Sequence, residues 1–184
     1  MENQHDLYIF LKNKALVFLS IREHSELELS RKLLSSVRDY LTRSHSDIVS
    51  PLAGEIDQQA AGRLGREGEI IQDLLQELIS KNYLSNTRYA EAYILSRARK
   101  GYGPNYIKQA LRQEGLSQDL IQQVLNNLEE SNPEINWAEI SLKILNKKFK
   151  NLDLKDYKNW QKAQRFLYSR GFNPECIKTL CKLY

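Results

Sequence analysis

Leu7, Leu11, Ala15, Phe18 and Leu19 recur at three- and four-residue spacing, the period that gathers apolar side chains on one face of an α-helix. The stripe predicts a first helix over Leu7–Arg22, with Asp6 as its N-cap. Ser25-Glu26-Leu27-Glu28 has the form of a capping box: the serine hydroxyl takes the amide of Glu28, and the Glu28 carboxylate reaches back. It opens a second helix with Leu29, Leu33, Leu34 and Val37 inward. Between Thr42 and Gly68 the period is lost, because Ser44, Ser46, Ser50, Pro51, Gly54, Gly62, Gly65 and Gly68 interrupt every apolar stripe. A mobile connection with a short helix around Ile56–Leu64 is the expectation there.

The helical period returns with Ile70, Ile71, Leu74, Leu75, Leu78 and Ile79. After Lys81-Asn82 a helix carries Tyr89, Ala90, Tyr93 and Ile94. Gly103-Pro104 opens the next, since proline suits a first helical turn where its missing N–H costs nothing. Gly115 closes it, and Ser117 caps a helix that buries Ile121, Val124, Leu125 and Leu128. Asn132-Pro133 is a break, followed by helices over roughly Trp137–Phe149, Leu154–Arg170 and Pro174–Leu183, the last capped by Asn173.

The later part of the chain repeats itself. Leu111, Gly115, Leu116, Ser117, Asp119, Ile121 and Val124 fall in the same order and spacing as Leu167, Gly171, Phe172, Asn173, Glu175, Ile177 and Leu180. The physical content is a helix ended by a left-handed glycine, an apolar residue tucked behind it, and a capped helix following. Ala90-Glu91…Ile94…Arg99-Lys100 corresponds to Ala138-Glu139…Leu142…Lys147-Lys148, and Ala15…Leu19…Arg22 begins a more degenerate copy. The expected fold is all-α: an elongated array of three three-helix units, each stabilised by stacking on its neighbour. The expected bounds are 1–68, including the long connection over 42–68, then 69–132 and 133–184.

These stretches resemble the RecX family of RecA regulators. Ala15…Leu19…Arg22-Glu-His-Ser25…Leu29…Leu33 is similar to that family's opening repeat. Tyr83-Leu84…Asn86-Thr-Arg88-Tyr89-Ala90…Tyr93…Arg97…Gly101-Tyr-Gly103-Pro104…Ile107…Leu111-Arg112…Gly115 resembles the middle one, and Phe166-Leu167…Arg170-Gly171-Phe172…Ile177 the closing one. Asn86 stands where the family has an aspartate helix cap, a role asparagine fills about equally well. The 42–68 segment is unmatched. The resemblance implies a helical regulator that binds in the groove of the RecA filament on single-stranded DNA. It further implies suppression of RecA ATPase, strand-exchange and co-protease activities, with weak direct contact to DNA, and so a role in DNA repair, recombination and the SOS response.

Charge sharpens the picture. The formal net charge is +4, but Glu134–Tyr184 holds 11 Lys/Arg against 5 Asp/Glu while the rest holds 16 against 18. A basic third beside a near-neutral body points to an anionic partner. The candidate filament- or DNA-binding cations lie beside the inter-helix turns: Arg97, Arg99, Lys100, Lys108 and Arg112, then Lys147, Lys148, Lys150, Lys162, Arg165 and Arg170. They equally suit plain solvation of helix faces, and Arg97 equally suits intramolecular pairing or capping. Tyr102, Tyr106, Tyr157 and Tyr168 among them could stack on unpaired bases or fill core, whereas Tyr89 and Tyr93 read as core.

Other chemistry finds little footing. Glu28, Glu91, Glu114 and Glu139 are surface or capping carboxylates without a partnered histidine, and Ser25 serves a cap, so no catalytic residue is assigned. His5, His24 and His45 lack metal-ligand spacing, and neither metal nor cofactor is expected. Cys176 and Cys181 point to different sides of one expected helix and read as small core residues. No apolar run approaches about 18 residues, and the N-terminus lacks a signal-peptide pattern. A non-enzymatic, cytoplasmic, monomeric protein is the expectation, with stand-alone nucleic-acid binding or a helical adaptor role as alternatives.

Overall fold

The computed structural model of the chain describes residues 2–44, 58–150 and 156–173. Among them there are only helices: α1 (Glu2–Ile21), α2 (Glu26–Ser44), α3 (Gln58–Ser80), α4 (Asn86–Arg99), α5 (Pro104–Gln113), α6 (Gln118–Ser131), α7 (Trp137–Lys148) and α8 (Tyr157–Ser169). The chain divides into two compact units, Met1–Asn86 and Thr87–Tyr184.

The first unit is a three-helix module. Leu7, Leu11 and Ala15 of α1 meet Leu29, Leu33 and Val37 of α2 and Ile71, Leu74, Leu75 and Leu78 of α3, all buried. Emptying one of the fully buried leucines to alanine costs about 2–5 kcal/mol, so this cluster dominates the unit's stability. Ser25 caps α2 by accepting the Glu28 amide at 3.0 Å. The capping box is only half formed, because the Glu28 carboxylate turns to Arg22 and Lys32 instead.

Several expectations are corrected here. Asp6 lies inside α1, an exposed turn beyond the helix start, so it caps nothing. The break expected over Thr42–Gly68 is shorter: α2 runs to Ser44, and α3 begins at Gln58 and passes through Gly62, Gly65 and Gly68. Glycine in a helix costs roughly 1 kcal/mol against alanine, a local penalty outweighed by the buried stripe Ile71–Leu78 that the same helix carries. A Cβ at Gly65 or Gly68 would meet nothing within 4 Å, so no close approach demands glycine there. The expected 68/69 boundary falls inside α3, which packs on α1 and α2 and shares their core. Asn86 does not cap α4: its side-chain oxygen accepts the Glu26 amide at 3.0 Å, and its amide donates to the Glu26 carboxylate at 2.7 Å, closing the start of α2. The expected helix over Leu154–Arg170 begins at Tyr157, where Asp156 accepts the Lys158 amide. The remainder of the 42–68 connection, the Pro174–Leu183 helix, and Cys176 and Cys181 lie outside the described residues.

The second unit holds two apolar clusters. Tyr89, Ala90 and Ile94 of α4 pack with Ile107 and Leu111 of α5 and Ile121, Val124 and Leu125 of α6. Leu145 of α7 and Ala163 and Leu167 of α8 pack with Phe172, while Trp137 and Ile140 border both clusters.

One device ends four helices. At Asn82, Gly101, Gly115 and Gly171 the backbone turns left-handed, with φ of 59°, 75°, 84° and 82°. In each case the next residue donates its amide five residues back: Tyr83 to Leu78, Tyr102 to Arg97, Leu116 to Leu111 and Phe172 to Leu167, at 2.8–3.2 Å. This double-bonded stop satisfies the carbonyls that a helix end would leave bare. The three glycines follow from the stereochemistry of positive φ.

Candidate functional site

Gly103 precedes α5 without a side-chain cap for that helix. The need is met from the end of α8. The Gly103 amide donates to the Arg170 carbonyl at 2.7 Å, and the Asn105 amide, an otherwise orphaned donor of the first turn of α5, donates to the Gly171 carbonyl at 3.0 Å. The backbones approach so closely that a Cβ on Gly103 would lie 2.5 Å from the Gly171 oxygen, and one on Gly171 would overlap Tyr106.

Cations and aromatic rings alternate across this joint. The Arg97 guanidinium sits 4.8 Å from the Tyr93 ring and 5.8 Å from Tyr102. Arg170 lies 4.7 Å from Tyr102 and 5.3 Å from Phe166, and Lys148 lies 4.4 Å from Phe166. Tyr106 stacks on Tyr102 with ring centres 4.4 Å apart. Such contacts contribute about 0.5–2 kcal/mol each, depending on desolvation.

The predicted cations therefore separate into groups. Arg97 and Arg170, both half-buried, work inside the protein, as does Lys148 at its exposed end of the ladder. Arg99 pairs with Glu134 at 3.1 Å, a fully wetted bridge. Lys108 and Arg112 of α5 donate to Gln122 and Gln118 of α6 at 2.8 and 3.0 Å. Lys100, Lys147, Lys150, Lys162 and Arg165 are exposed and have no side-chain partner among the described residues. Sequence reasoning missed Lys158, which joins Lys162 and Arg165 on the outer face of α8; their i, i+4, i+7 spacing was the available signal.

The tyrosines separate too. Tyr102 and Tyr106 stack on each other, and Tyr102 also takes the guanidinium groups of Arg97 and Arg170. Tyr157 and Tyr168 are 70% and 51% exposed. Tyr89, as expected, is core, and Tyr93 is half-buried against it.

α5, its turn and α6 form a helix-turn-helix, yet α6 has no Lys or Arg and exposes Asp119, Glu129 and Glu130. A recognition helix gains affinity from cations on phosphates, and α6 lacks them. A cleft of about 400 Å³ between α4 and α7 has an apolar floor including Leu95, Ile140 and Ile144, with the Arg99–Glu134 pair on its rim. Among the described residues no three His, Cys, Asp or Glu side chains gather to hold a metal ion, and no helix is long and apolar enough to cross a membrane.

In the first unit a buried histidine organises the α1–α2 corner. The His24 Nδ1 donates to the Arg22 carbonyl at 2.9 Å, which leaves Nε2 to accept from Lys32 at 2.8 Å. Burial pushes the imidazole pKa below its ordinary value, and the charges of Arg22 and Lys32 act in the same direction. For Glu28 burial acts upward, but the Arg22 hydrogen bonds and the positive charges around it outweigh burial and hold the carboxyl below its usual range.

The fold defines a class, that of tandem three-helix modules of helix-turn-helix type. The family description "RecX, second three-helix domain" matches residues 85–125, and "RecX, third three-helix domain" matches 138–180. Regulatory protein RecX of Yersinia enterocolitica is 32% identical over 170 residues, covering 92% of this chain and 95% of that protein. Regulatory protein RecX of Legionella pneumophila is 39% identical over 112 residues, 61% of this chain and 71% of that protein. The crystal structure of RecX from Lactobacillus salivarius superposes with a TM-score of 0.66 at 19% identity, covering 97% and 96% of the two chains. The chain belongs to the RecX family of regulatory proteins.

Proposed function

We propose that this chain binds the RecA filament assembled on single-stranded DNA and lowers RecA ATPase, strand-exchange and co-protease activities. It thereby restrains recombinational repair and the SOS response. Family membership supports the regulatory role, and the exposed, unpartnered cations Lys100, Lys147, Lys150, Lys162 and Arg165 supply a surface suited to an anionic filament. In this reading the protein acts without cofactor or catalytic group, as a cytoplasmic monomer. Occupying the filament groove hinders the subunit rearrangements that accompany ATP turnover and excludes a second DNA.

The carrying observation is the 32% identity across 92% of the chain to a regulatory protein RecX. The test is ATP hydrolysis by RecA on single-stranded DNA with increasing amounts of this protein. Inhibition at or near stoichiometry is expected, and undiminished hydrolysis under excess protein removes the inhibitory reading. Stand-alone nucleic-acid binding is a second reading, favoured by the same free cations. It predicts tight DNA binding at physiological salt without RecA, and a pull-down that recovers some other protein would favour a helical adaptor.

A further inference from the structure

α8 has two exposed tyrosines at its ends and a row of free cations between them. Successive residues turn about 100° around a helix, so Tyr157, Arg165, Lys158, Lys162 and Tyr168 all fall within one arc of about 140°. That arc is the exposed one: each of the five is exposed, whereas Ala163 and Leu167 on the opposite side are fully buried. α8 contains no acidic residue, Lys158, Lys162 and Arg165 have no side-chain partner among the described residues, and neither tyrosine has a ring or cation partner there. By contrast, Tyr102, Tyr106 and Phe166 of the same unit are stacked on neighbours or held by cations.

We propose that the outer face of α8 docks single-stranded DNA, with unpaired bases stacking on Tyr157 and Tyr168 and the intervening phosphates lying along Lys158, Lys162 and Arg165. The tyrosines stand 11 positions apart in the helix, about 16 Å along its axis, which spans roughly five nucleotides at about 3.4 Å of rise per stacked nucleotide. Charge alone would favour duplex and single strand alike. Exposed rings add a preference for unpaired bases, because a duplex keeps its base faces inside the stack. The choice of DNA rests on the reading given under Proposed function; the stacking itself rests on α8.

The experiment uses the full chain without RecA and a fluorescein-labelled oligo-dT longer than about 16 nucleotides, beside a duplex of equal length, followed by anisotropy. The single strand is expected to bind more tightly. Replacing both tyrosines, Tyr157→Ala with Tyr168→Ala, weakens single-strand binding at least about ten-fold with little change in the salt slope. The Tyr157→Phe/Tyr168→Phe pair restores it, since stacking needs the ring and not the hydroxyl. Lys158→Gln, Lys162→Gln and Arg165→Gln each lower the slope of log affinity against log salt by about 0.7. All five side chains are exposed, and circular dichroism of each variant verifies the fold. Alanine variants that bind the single strand as the parent does, or a duplex bound as tightly as the single strand, would overturn the proposal. Because RecA is absent, failure of the inhibitory reading leaves this result intact, and failure here leaves that reading intact.

Discussion

The two units balance their charged side chains differently. Met1–Asn86 carries 10 Lys/Arg against 13 Asp/Glu, and Lys12, Arg22, Lys32 and Lys81 settle on carboxylates, while Lys12, Lys14 and Lys32 also lie over the Tyr8, Phe10 and Phe18 rings. Glu77 takes the Tyr8 hydroxyl together with Lys12 at 2.7 Å and Lys81 at 2.6 Å; Glu28 takes Arg22 and Lys32. Thr87–Tyr184 carries 17 Lys/Arg against 10 Asp/Glu; Arg99 pairs with Glu134, but the other cations named above lie on aromatic rings, on amide oxygens, or have no side-chain partner among the described residues. An ion pair cancels charge. A cation over a ring keeps its full charge, so the second unit retains a positive field even where its arginines are structurally employed. The difference concentrates the attraction for an anionic partner in one half of the chain without a large net charge overall.

Glycine substitution should show the largest contrast between the units. Gly171→Ala forces a Cβ into a left-handed backbone and into Tyr106, and should destabilise the second unit by at least about 2 kcal/mol. Gly65→Ala, in an open helical position of α3, should stabilise the first by about 0.5–1 kcal/mol. Thermal melts of the two variants should therefore move in opposite directions, and a shift of the same sign would break the comparison.

Next in size is the ladder. Arg170→Ala removes its contacts with Tyr102 and Phe166 and should cost about 1–2 kcal/mol. A double-mutant cycle with Tyr102→Leu should return a coupling of about 0.5–1 kcal/mol between the two side chains. Zero coupling would mean that the ring contributes shape alone.

The pH response is smaller and belongs to one unit. All three histidines, His5, His24 and His45, fall in the first. The folded pKa of His24 lies below the 6.5 of the unfolded chain, so in the interval between them the unfolded state binds more protons. Stability is full above 6.5 and declines as pH falls toward the lowered value. Glu28, held below 4.5 when folded, adds a loss on acidification below 4.5. Urea titrations across pH 5–7.5 should show the His24 slope, and His24→Gln should remove it; a slope that survives the substitution would assign it elsewhere.

The smallest effect on stability should come from the free cations. Reversing Lys147 and Arg165 to glutamate should leave unfolding within about 0.5 kcal/mol of the parent while weakening RecA inhibition. Unchanged inhibition would take those residues off the proposed surface.

Much of this fold was legible from the chain alone, because the signals are local. The 3.6-residue stripes, the proline that begins α5, the serine caps of α2 and α6, and the glycines that end α5 and α8 act through the nearest few peptide groups. Any residue type with that stereochemistry has the same effect in any fold. The exceptions are instructive: three glycines failed to stop α3, since a helix is decided by its whole buried face, and Asp6 failed to start α1.

The roles of the charged residues required tertiary structure. Arg97, Arg170 and Lys162 look alike as letters in the sequence, yet two lie against aromatic rings and one stands in solvent. Likewise Asn86, by its position a cap for its own helix, closes α2 sixty residues earlier, and Gly103 is required by the Gly171 backbone that lies against it. A helix stripe is set by neighbours three and four positions away, which the sequence contains. What a cation touches is set by helices brought together across dozens of residues, and that information exists only once they have packed.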